Sequence, residues 1–302
     1  MSHTIDDQLS DVQSLRPELN LNRRGFMATT AASTVGIGFA AAVQPISAQT
    51  MIRTNTDGLR AGEVNLIGKD GFHFGAYVAV PQGKTNCPVV VVFSEIFGVH
   101  AHIADVCRRF AKLGYLAIAP EYFVRAGDAK SYTDIPRLIA DIVNKTPDAQ
   151  VMDDTDVALA WAQANGGSDK VAVTGFCWGG RITWLYTARN PQVITGAAWY
   201  GRLIGAATPS FPKNPIDVVS ALAAPVLGLY GGVDTGIPLA TVDQMQAALN
   251  ASGNAMAKAS TIQVYDQSPH AFHADYRPSY RKADAEDAWK RTLAFFKANG
   301  VA

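Results

Sequence analysis

Cysteine is scarce in this chain: Cys87, Cys107 and Cys177 are the only three in 302 residues. An odd count this low excludes a disulfide framework, and the wide spacing excludes both a C-x-x-C redox pair and a cysteine zinc cluster. Nothing in the spacing of Cys87 and Cys107 argues for a bridge, although an oxidising compartment would permit one. Six histidines are present, with no H-E-x-x-H pattern among them. No Gly-rich phosphate loop or dinucleotide fingerprint appears, so no metal or cofactor is expected. An excess of charge of either sign is also missing, with 26 basic side chains against 26 acidic ones. That balance removes the electrostatic reason to expect nucleic acid or an anionic membrane as a partner. No fixed-period repeat suggests a solenoid.

Long apolar runs are nearly absent too. The one candidate, Met27 to Val43, is uncharged but short and weakly hydrophobic for a membrane span. It follows Asn22-Arg23-Arg24-Gly25-Phe26-Met27, a twin-arginine pair, and leads to Pro45-Ile46-Ser47-Ala48, where the small Ala48 suits cleavage. Residues 1–48 are therefore predicted to be a twin-arginine signal peptide. A periplasmic or secreted location follows, with the export machinery as a transient partner. The alternatives are an amphipathic N-terminal helix or a retained anchor. Removing residues 1–48 leaves the charge balance near zero.

The 48% hydrophobic content suffices for a large core. From residue 65 to 81 the pattern is strand-like. Pro88 to Phe93 is a continuous apolar run of the kind a parallel strand buried on both faces requires. Helices are predicted over 103–113, 152–165, 182–188, 239–249 and 283–297, alternating with strands at 115–120, 171–174, 195–200, 225–230 and 262–265. Such alternation implies an α/β fold, a mostly parallel sheet with helices on both faces. Short connections predict one domain over 49–302. The longer segments 121–150 and 201–224 are candidates for a substrate rim.

Gly175-Phe176-Cys177-Trp178-Gly179-Gly180 lies between a strand and a helix. This is the nucleophile-elbow pattern of α/β-hydrolases, with Cys where most carry Ser. The turn is sharp, so small residues must stand two before and two after the nucleophile. The helix N-terminus beyond it offers amides and a positive dipole end to a thiolate and to an oxyanion. The Trp178 amide is the expected oxyanion donor. The opposing reading is a buried structural Cys beside packing glycines. Asp234 follows the strand at 225–230 through Gly231-Gly232, where the acid of a triad belongs in the order nucleophile, acid, histidine; a turn-forming Asp is the alternative. His270 follows the strand at 262–265 by a short loop and is preferred over His273 as the base. Glu95 emerges directly from the apolar run, with the Ile96 amide as the second oxyanion donor.

At these four points the chain resembles the dienelactone hydrolase family, cysteine α/β-hydrolases typified by carboxymethylenebutenolidase. The likeness spans about residues 60 to 300. It rests on Glu95-Ile96-Phe97-Gly98, the elbow around Cys177, Gly231-Gly232-Val233-Asp234 and His270-Ala271-Phe272. The resemblance implies a Cys177–Asp234–His270 triad that cleaves an ester or lactone, and a Glu95 that interacts with the resting thiol. Family members acting on dienelactone grip its carboxylate with two arginines. The resemblance assigns the first to Arg125, but the second position is Ala274, with Arg277 nearby. A carboxylesterase or thioesterase on small acyl groups would use the same triad. A thiol redox or binding protein would use Cys177 without acyl chemistry.

Overall fold

The computed structural model describes residues 50–302, and the predicted signal peptide lies outside the described residues. Eight strands form the sheet: β1 (Leu59–Ile67), β2 (His73–Pro81), β3 (Cys87–Phe93), β4 (Leu116–Pro120), β5 (Gly167–Phe176), β6 (Val193–Trp199), β7 (Val226–Gly231) and β8 (Thr261–Tyr265). Their order is β1-β2-β4-β3-β5-β6-β7-β8. The six strands from β4 across to β8 pair in parallel, while β1 and β2 add an antiparallel edge. This is the α/β-hydrolase arrangement.

The apolar run in β3 shows why the sheet must be covered twice. Val89, Val91 and Phe93 point into one core, and Val90 and Val92 into the other. All five are wholly buried. Successive side chains alternate across a strand, so an uninterrupted apolar run satisfies two cores at once. On one face, α1 (Ala101–Lys112) brings Phe110 and Ala111 to the core holding Val90 and Val92. The last helix, Lys282–Ala298, adds Ala288 and Phe296 there. On the other face lie α2 (Ile135–Asp141), α3 (Asp148–Ala164) and the Trp178, Ile182, Leu185 and Tyr186 side of α4 (Trp178–Arg189). Between β7 and the final helix come α5 (Leu239–Ala251) and α6 (Ala255–Ala259), which makes Lys282–Ala298 α7.

Two expectations change, and one open question closes. The strand-like stretch from residue 65 to 81 is a hairpin, turned at Gly68 to Phe72 and registered Ile67↔His73 through Leu59↔Pro81. Most of β1 is exposed or half-buried, which hides it from a hydrophobic pattern. Helix α3 starts at Asp148, directly after Pro147 and a turn ahead of its first clear apolar signal. Cys87 and Cys107 are free thiols in different cores on opposite faces of the sheet, so no bridge can join them.

From β3 the chain passes through α1 to β4 on one side, and β5 then docks on the other side of β3. The carboxyl ends of β3 and β5 therefore flank a topological switch point, the place where open α/β sheets gather ligands. Glu95 and Cys177 follow those two strand ends.

Candidate active site

Cys177 occupies the turn between β5 and α4 with φ +57° and ψ −113°, an uncommon conformation for a residue with a side chain. The glycines around it exist for steric reasons. A Cβ on Gly175 would stand 2.2 Å from the Gly179 carbonyl oxygen, and one on Gly179 would stand 2.4 Å from that of Phe93. No side chain fits either gap, so the elbow can close only with glycine at both places. The Cys177 amide donates to the Trp199 carbonyl at 3.0 Å, tying the turn to the neighbouring strand end. As the first residue of α4, Trp178 has an amide with no intrahelical acceptor.

Asp234 and His270 come from loops after β7 and β8 that are joined by backbone hydrogen bonds. Gly232 donates to the Tyr265 carbonyl at 2.7 Å and Val233 to that of Ser268 at 3.2 Å. One carboxylate oxygen of Asp234 accepts from the Gly236 and Ile237 amides at 2.8 and 3.2 Å. Held in that way, its other oxygen faces His270 Nδ1 at 2.7 Å. The imidazole lies near the Cys177 thiol, both at the cavity. Burial opposes its protonation, but the interaction with Cys177 and the hydrogen bond to Asp234 outweigh burial, leaving its pKa well above the usual histidine value. His273 is buried elsewhere, stacked on Phe176 at 5.0 Å and away from the cavity.

Glu95 is fully buried and accepts from the Tyr276 hydroxyl at 2.9 Å and His100 Nε2 at 3.3 Å. Burial disfavours its charge. Hydrogen bonding by His100 and the positive potential from His100, Arg277 and His102 prevail, lowering its pKa to about 2. Burial pushes His100 itself down, against the raising effect of its hydrogen bond to Glu95. Glu95 is thus ionised and anchored from behind, on the side away from the cavity, by two residues whose roles sequence reading missed.

A cavity of about 500 Å³ opens over Cys177 and His270. Ile96 and Trp178 line it. The two segments expected at the rim contribute Ile139, Val143 and Asn144 from one and Arg202, Ile204, Gly205, Ala206 and Phe211 from the other. Tyr200 also lines it, fully buried, with a hydroxyl that has no hydrogen-bond partner among the described residues. Its signal was available, since Tyr200 and Arg202 follow the end of β6 as Cys177 follows β5.

Arg125 does not line this cavity, which corrects its assignment to substrate. Both oxygens of Asp154 and both of Asp70 hold its guanidinium, with contacts of 2.9 Å and 3.0 Å among them, and it lies 4.6 Å over the Phe72 ring. A cation shared between two carboxylates has no field left for a third. Ala274 is fully buried, and Arg277 packs over Phe97 and Tyr276 outside the lining.

The family model for the dienelactone hydrolase family matches residues 74–300. The chain belongs to the dienelactone hydrolase family. A Methylorubrum extorquens protein named "Putative carboxymethylenebutenolidase" is 52% identical over 295 residues, covering 97% of this chain and 98% of the relative. An Escherichia coli K12 protein of the same name is 50% identical, covering 91% of this chain and 98% of its own length. The crystal structure of a Klebsiella pneumoniae protein titled "Putative Dienelactone Hydrolase" aligns with a TM-score of 0.76 at 48% identity, over 79% of this chain and 98% of that one. This dienelactone hydrolase-family chain is accordingly a hydrolase of the carboxymethylenebutenolidase type.

Proposed function

We propose that the chain hydrolyses an ester or lactone through a thioester on Cys177. The observation that supports this most directly is the 2.7 Å contact of His270 Nδ1 with Asp234, on an imidazole that lines the same cavity as Cys177. Asp234 fixes the ring's orientation and favours its charged form. The thiolate attacks the acyl carbon, forming a C–S bond while negative charge gathers on the carbonyl oxygen. The Ile96 and Trp178 amides would receive that charge. His270 gives its proton to the leaving oxygen as the C–O bond breaks. Water then adds to the thioester, yielding its proton to His270, and the C–S bond breaks to release the acid. Lactones follow the same path with the alcohol still attached.

The test is a panel of p-nitrophenyl esters, thioesters and cis- and trans-dienelactone. Turnover of at least one oxygen ester or lactone is expected. A chain that turns over none of them, with Cys177 still open to alkylation, would overturn the reading.

Glu95 acts through its charge at the end of β3, so its environment yields a separate prediction. A carboxylate whose folded pKa is near 2 instead of 4.5 contributes stability that is complete above pH 4.5. That contribution drains away as pH falls through about 2. Melting temperatures followed across this window should fall more steeply for the wild type than for Glu95→Gln. Parallel curves would show that Glu95 is not the titrating group.

A further inference from the structure

We propose that the cleft between the segment around Ile52 and α7 is a second binding site, separate from the catalytic cavity, for a small uncharged aromatic molecule carrying one hydroxyl group. The cleft has a volume of about 200 Å³. An engineered apolar cavity of about 150 Å³ binds benzene, so there is room here for one substituted ring. Ile52, Ala285, Tyr280 and Trp289 supply an apolar and aromatic wall, the lining that favours a planar apolar ligand. No residue of this lining is shared with the cavity over Cys177.

The polar groups at the cleft decide the ligand's charge and its point of attachment. Arg109 is already paired, donating from Nε to Asp105 at 2.6 Å and from a terminal nitrogen to Asp275. Glu286 and Lys290 are exposed and of opposite sign. Nothing in the lining therefore calls for a charged ligand. His273 is different: it lines the cleft while only 3% exposed, and its Nδ1 has no hydrogen-bond partner among the described residues. Stacking against Phe176 at 5.0 Å and Trp289 at 6.0 Å holds the ring, so Nδ1 cannot turn toward another partner. Burial, then the positive potential of His102 and Arg109, keeps its pKa well below the usual histidine value, and the ring is neutral at ordinary pH. In a neutral imidazole one nitrogen donates and the other accepts. A hydroxyl both gives and takes a hydrogen bond, so it satisfies Nδ1 in either tautomer, whereas a carboxylate or an ammonium would satisfy only one. A buried nitrogen left unpaired costs free energy that such a ligand recovers.

Two tryptophans make the test specific, because Trp289 lines this cleft and Trp178 lines the catalytic cavity. In the full chain carrying nitrogen-labelled tryptophan, 4-fluorophenol should shift the Trp289 indole N–H resonance saturably, with Trp289→Phe identifying that signal. Fluorobenzene, which lacks the hydroxyl, should reach the same place about 5- to 10-fold more weakly, the net worth of one hydrogen bond. In His273→Phe, which keeps a stacked ring and removes the nitrogen, the two ligands should bind alike. The wild-type comparison stands by itself should that variant fail to fold. Shifts confined to Trp178 would place the ligand in the catalytic cavity and overturn the proposal. The absence of any saturable shift, the result for a cleft that takes only water, would overturn it too. Equal affinity of the wild type for both ligands would remove His273 as the point of attachment, and the proposal with it.

Discussion

Cys177→Ala should lose on the order of 10⁴-fold or more in kcat on any ester the wild type cleaves, because removing the nucleophile of a coupled set removes most of what the set does. The residue left behind keeps the elbow's backbone, so the variant should fold, bind substrate and show a KM close to the wild-type value. Cys177→Ser tests something finer. Serine preserves the attacking geometry, but a hydroxyl is a far weaker acid than a thiol and must surrender its proton during attack. A further barrier of about 3 kcal/mol, or roughly 10²-fold, is expected from that proton transfer. Steady-state assays on one p-nitrophenyl ester settle both. Residual activity within tenfold of wild type in Cys177→Ala would mean that the cysteine is not the nucleophile, and attention would pass to water activated directly by the His270–Asp234 pair.

Most of this arrangement is legible in sequence because each participant sits just past a strand that is itself easy to find. Val89 to Phe93, Val171 to Thr174 and Pro225 to Tyr230 are short apolar runs, and the residues that follow them emerge at one edge of a parallel sheet. Cys177, Asp234 and His270 meet for that reason. What escapes the sequence is pairing between distant charges. Arg125 has the position of a substrate ligand, but its partners Asp70 and Asp154 lie 55 and 29 residues away, and no local pattern reports them. The anchors of Glu95 are hidden in the same way, with Tyr276 separated from it by 181 residues. Strand β1 went unseen because its side chains alternate into solvent on a sheet edge, where hydrophobicity carries little information.

Arg181 should be the chain's most sensitive point for stability outside the catalytic residues. It is 4% exposed, and its bidentate pair with Asp148 staples the first turn of α3 to the first turn of α4. The same guanidinium holds the Lys213 carbonyl and lies 5.6 Å from the Phe211 ring centre, so it also fixes the segment that carries Arg202. Asp148 adds a backbone link from its amide to the Ser210 carbonyl at 3.0 Å. Arg181→Met removes one half of this pair and strands a buried carboxylate, which costs about 3–5 kcal/mol where such pairs have been broken singly. Urea unfolding should show the unfolding free energy falling by that amount, read as a lower midpoint at an unchanged m-value. Combining it with Asp148→Leu should restore much of the loss, because two apolar side chains leave no uncompensated charge. Recovery of stability without recovery of esterase activity would show that the pair's second task is to hold the rim in place. Were Arg181→Met as stable as the wild type, the Asp148 carboxylate would have to be solvated by another route, and the staple between α3 and α4 would not be what holds this wall of the cavity.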